Sequence, residues 1–89
     1  MKKTNFTVEQ KKQINTIAID MASNAVHFLS NNSDCPIWTA SAWSENEVRA
    51  EAIYTAQEIL TIMGYDVFMS KPKVSGGCYL VLTVSIKTI

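Results

Sequence analysis

The chain has 89 residues, 47% hydrophobic and 18% charged, with eight cations balanced by eight acids. That length holds one domain, residues 1–89 with 1–6 as a flexible N-terminal segment, and this composition excludes intrinsic disorder, which needs low hydrophobicity and high net charge. Zero net charge argues against a nucleic-acid partner, whose phosphates reward a basic surface.

The opening Met1-Lys2-Lys3-Thr4-Asn5 is unlike a signal peptide, and no apolar run approaches the roughly 20 residues that span a bilayer. A cytoplasmic setting without a membrane partner is therefore expected, with Cys35 and Cys78 as free thiols. The charges are unevenly spread. Lys2, Lys3, Lys11 and Lys12 make the start basic; Asp34, Glu45, Glu47, Glu51, Glu58 and Asp66 make the middle acidic; Lys71, Lys73 and Lys87 make the end basic again. A solvated dipolar surface is the ordinary consequence, and attraction between unlike ends of two copies is the sharper one.

A first helix is expected from Val8 to Leu29. It opens on a capping box, Thr7 with Gln10 three positions later. Ile14, Ala18, Met21, Ala25 and Phe28 form one apolar stripe, and Ile19, Ala22, Val26 and Leu29 form a second beside it. At 100° per residue the two cover an arc of about 200°. An ordinary surface helix needs little more than about 100°, so this helix is expected either at the centre of the domain or partly against another chain.

Ser30-Asn31-Asn32-Ser33-Asp34 reads as a turn. The segment 37–42 reads as a loop or a short third strand, kept to an edge by Pro36, which has no amide hydrogen to give a ladder. A second helix is expected from Glu45 to Met63. Ser44 and Glu47 supply a capping box, Trp43 and Val48 a hydrophobic staple, and Gly64 a left-handed stop with Tyr65 folding back on Leu60. A hairpin closes the chain: a strand at 65–70, a turn over 71–77, and a longer strand from Cys78 to Ile86. Leu80, Leu82, Val84 and Ile86 lie on one face of that strand, with Tyr79, Val81, Thr83 and Ser85 on the other. The expected fold is α+β: two antiparallel helices packed on a small antiparallel sheet, in the order α-(β)-α-β-β. Two strands alone are marginal and leave two open edges, so a third must come from 37–42 or from another molecule.

The chemistry of catalysis is sparse. His27 is the single histidine, and no Cys/His spacing suits zinc. A pair of His27 with Cys35 across the end of the first helix is the remaining combination. Phosphate loops, dinucleotide fingerprints, nucleophile elbows and C-x-x-C are all missing from the sequence, and Gly76-Gly77 reads as turn glycines. No catalytic residue, cofactor or metal site is assigned. Glu47, Glu51 and Glu58 lie on a shared face of the second helix, ordinarily a solvated acidic face. Ile37, Trp38, Tyr79, Val81 and Thr83 are the candidate interface residues, since Trp and Tyr anchor binding surfaces. The function expected is a non-catalytic interaction or assembly protein. It is expected to be homo-oligomeric, working through the hairpin edge and an apolar helix face. The alternative is an inhibitor or adaptor, of the small type that phages and mobile elements encode, binding one host protein. A ligand-binding protein or small enzyme ranks third.

Overall fold

The computed structural model describes residues 6–31, 37–74 and 77–86. Through them the chain runs α1 (Val8–Asn31), β1 (Ile37–Trp43), α2 (Glu47–Ile62), β2 (Asp66–Ser70), β3 (Lys73–Val74) and β4 (Gly77–Ser85). Two helices thus lie with an antiparallel sheet in the order α-β-α-β-β, an α+β fold. The expected turn at 32–34, Cys35, Pro36 and Gly76 lie outside the described residues.

The first helix begins as its sequence dictates. The Thr7 amide donates to Gln10 Oε1 at 2.9 Å, and the Gln10 amide donates to Thr7 Oγ1 at 3.1 Å, a reciprocal capping box. α1 runs two residues beyond Leu29, and Asn31 Nδ2 donates to the His27 carbonyl at 2.8 Å, satisfying a carbonyl of its last turn.

The start of α2 is shifted from the expected position. Ser44 and Glu45 form a turn and the N-cap is Asn46, whose Oδ1 accepts from the Arg49 amide at 3.3 Å. The reason lies in β1, which runs one residue past 42. The Ser44 amide donates to the Cys78 carbonyl, and the Asn46 amide then donates back to Trp43. Ser44 is still tied to the sheet and is not free to cap. Trp43 is therefore no staple: it is the last residue of β1, its ring 5.3 Å from that of Tyr79 across the strands. The end of α2 follows expectation. Gly64 has φ +99°, the Tyr65 amide donates to Leu60 and the Gly64 amide to Thr61, the paired bonds of a Schellman motif.

β4 is the middle strand. β1 pairs with it antiparallel on one side, from Ile37↔Ser85 to Trp43↔Tyr79, and β2 on the other, from Asp66↔Ser85 to Ser70↔Val81. The third strand expected from 37–42 is thus supplied by the chain itself. β3 keeps the register of β2, with Lys73↔Cys78 and Val74↔Gly77, so the expected seven-residue turn is mostly paired backbone. Pro72 breaks the ladder by lacking an amide hydrogen, yet its carbonyl still accepts from Tyr79 at 3.2 Å. β4 consequently does not outrun its partner.

Both β1 and β2 run against β4, so they are parallel to each other. α2 is the crossover between them, and β4 fills the gap it leaves. Two strand spacings are about 10 Å, near the diameter of a helix with side chains, so α2 sits over β4 and touches all three long strands. α1 packs along α2 and reaches β1. The core is Ile14, Ala18, Met21, Ala25 and Leu29 of α1, Ile53, Ala56 and Leu60 of α2, and Leu80, Leu82 and Val84 of β4, all buried. Ala18, Ala25, Ala52 and Ala56 are fully buried, which lets the helices approach closely.

Two substitutions separate the observed cap from the expected one. Asn46→Ala should cost about 1 kcal/mol, whereas Ser44→Ala should stay within about 0.5 kcal/mol; urea unfolding of the two variants measures the difference.

Candidate interaction surfaces

A strand sends alternate side chains to opposite faces, so the register sorts the sheet into two. Trp38, Ala40 and Ala42 of β1, Val67 and Met69 of β2, and Leu80, Leu82 and Val84 of β4 share the face under the helices. Ile37, Thr39, Ser41, Trp43, Asp66, Phe68, Ser70, Tyr79, Val81, Thr83 and Ser85 share the other, which no described element covers.

A sheet with one wet face ordinarily alternates apolar inside with polar outside. This one does not. Ile37 and Trp43 are each 49% exposed and Phe68 is 65% exposed, with Tyr79 and Val81 half-buried between them. Asp66, at the β2 corner, is the one charged residue among the described strand residues of this face. Of the five residues expected at an interface, Ile37, Tyr79, Val81 and Thr83 come together here. Trp38 does not: it points to the opposite face and packs on the core. Phe68 and Trp43 belong to the surface and were not expected there. The signal for Phe68 was present, because it alternates against Val67 and Met69; Trp43 was drawn off by the false staple.

The two edges of the sheet differ. On β4, the Cys78 carbonyl faces β1 and the Tyr79 amide faces β3. Since both backbone groups of a residue point the same way in an antiparallel strand, even-numbered residues of β4 serve β1 and odd-numbered ones serve β2. The constant registers then turn the odd-numbered backbone groups of β1 and of β2 outward. On β1 those groups are partly taken: Arg49 Nε donates to the Ser41 carbonyl at 2.9 Å, and the Trp43 carbonyl accepts from Asn46. A charged side chain laid over an edge is a known means of blunting it. On β2 the outward amides and carbonyls of Val67 and Met69 have no partner among the described residues.

The remaining features carry less. Glu51 and Glu58 are exposed on α2, as is Glu47. A groove of about 510 Å³ between the helices is lined by Ile19, Val26, His27, Ile59 and Met63. It is what remains of the second apolar stripe of α1, since Ala22 and Leu29 of that stripe are buried and Ile19 is 57% exposed. A smaller hollow of about 410 Å³ holds Tyr54, Lys71, Lys73 and the half-buried thiol of Cys78, with Lys71 Nζ 5.6 Å from the Tyr54 ring centre. No group of three or more His, Cys, Asp or Glu side chains is placed to hold a metal among the described residues. The pair of His27 with Cys35 falls outside them. No helix among the described residues is long and apolar enough to cross a membrane.

The role given to Arg49 is testable. Arg49→Ala should speed aggregation measured by light scattering at least several-fold, by opening the β1 edge, while the far-ultraviolet circular dichroism stays unchanged. No family model, no curated protein and no solved structure matches the chain.

Proposed function

We propose that this chain is a non-catalytic protein that works by assembling with copies of itself through its sheet. The observation that carries the reading is the uncovered sheet face, where Ile37, Trp43 and Phe68 are exposed around Tyr79 and Val81. Large aromatic and aliphatic side chains on a face are stabilised by being covered, at about 25 cal/mol per Å² of apolar area removed from water. Polar residues would serve a permanently wet face better.

Size favours self-assembly over capture of one foreign partner. A patch three strands wide and seven residues long has a footprint of about 300 Å², against the roughly 800 Å² per partner of a standard interface. A patch this small is expected to act together with a second contact, and symmetric copies supply every contact twice.

Sedimentation of the wild-type protein up to about 1 mM, where an association of about −4 kcal/mol becomes visible, should give a mass above the 9.9 kDa of one chain. Ile37→Lys and Phe68→Lys should each weaken the association by about tenfold or more, equivalent to about 1.4 kcal/mol. A single 9.9 kDa species at every concentration contradicts the reading.

A further inference from the structure

Resting on that self-assembly reading, we infer that two copies join through β2, strand against antiparallel strand, to make one six-stranded sheet. β4 is paired on both sides, and the β1 edge has its Ser41 and Trp43 carbonyls occupied and Arg49 across it. β2 is the remaining long edge, and its outward groups are those of Val67 and Met69.

The spacing of those groups is self-complementary. A two-fold axis through Phe68 sets Val67 of one copy against Met69 of the other, and Met69 against Val67. Both residues point amide and carbonyl outward, so each facing pair exchanges two hydrogen bonds, and the junction closes with four. Phe68 meets its own copy in the non-hydrogen-bonded pair between them, where side chains are closest and aromatic pairs are favourable. Both rings lie on the open face, and Phe68 is 65% exposed in the single chain. A shift by one residue would set outward groups against inward ones and lose all four bonds.

Charge selects the same direction. β2 starts at Asp66 and leads into Lys71 and Lys73. Antiparallel pairing keeps the two Asp66 carboxylates at opposite ends of the junction, whereas parallel pairing would set them side by side. The joined sheet also carries an open face of about 600 Å², twice that of one chain, which narrows the shortfall of the single patch against the roughly 800 Å² of a standard interface.

The test uses a chemical and a structural variant together. In a Cys35→Ser/Cys78→Ala background, Phe68→Cys places two thiols about 4.5 Å apart at the Cα atoms, within disulfide range. Mild oxidation should then convert most of the protein to a linked dimer on a non-reducing gel. Met69→Pro removes an outward amide that no ladder bond inside the chain uses. Compared with Met69→Ala, which gives up the same side chain against the core but keeps the amide, it should weaken dimerisation about tenfold or more in light scattering. If the wild-type chain is dimeric yet Phe68→Cys stays unlinked, the β2 junction is wrong and self-assembly stands. If wild type is monomeric throughout and nothing links, both fall. Should Met69→Pro fail to fold, the linking experiment decides alone.

Discussion

The structure depends on β4 being held from both sides. β1, α2 and β2 form a crossover whose two parallel strands stand one strand apart, and that gap is set by the width of the helix above it. Only a strand running the other way, arriving by a hairpin from β2, can fill it without a second long connection. β4 brings Leu80, Leu82 and Val84 to the core, and its two neighbours bring Trp38, Ala40, Ala42, Val67 and Met69 beside them. Without β4, Ile53 and Leu60 of α2 lose much of their floor and β1 has nothing to pair with. The core is therefore completed by residues near the end of the chain.

That placement explains what the sequence displayed and what it concealed. Short-range chemistry was legible: the Thr7/Gln10 box and the Gly64 stop are each decided within about one helical turn. So was the alternation that puts Leu80, Leu82 and Val84 on one face. The start of α2 was misplaced because Ser44 and Glu47 satisfy the local pattern, while a long-range bond from Ser44 to Cys78 spends the residue elsewhere. The pairing within 71–77 is hidden for a similar reason. The missing amide hydrogen of Pro72 looks like a turn signal, but a ladder tolerates one lost donor when its neighbours hold the register. The candidate surface was legible as residue types and hidden as geometry: parity groups Ile37, Tyr79, Val81 and Thr83, yet only the register with β1 sends Trp38 inward and leaves Trp43 and Phe68 outside.

The chain treats its exposed edges unequally. Arg49 reaches from α2 to the Ser41 carbonyl on β1, the sort of guard that keeps strands from pairing with the wrong partner. No described residue takes the outward groups of β2, and its five-residue length limits what can join there to a short, matched segment. A self-complementary strand of that length satisfies the limit, and Phe68, 65% exposed in the single chain, meets its own copy there.

Amide hydrogen exchange as a function of protein concentration tests this account most directly. β4 should be protected at every concentration on both odd and even amides, from Tyr79 to Val84, because it is paired on both sides. Val67 and Met69 should exchange fast in dilute protein and become protected as concentration rises, by about tenfold or more once dimer dominates, while Thr39 on the β1 edge stays fast. Protection of Thr39 with Val67 and Met69 left fast would contradict it, as would alternating protection along β4.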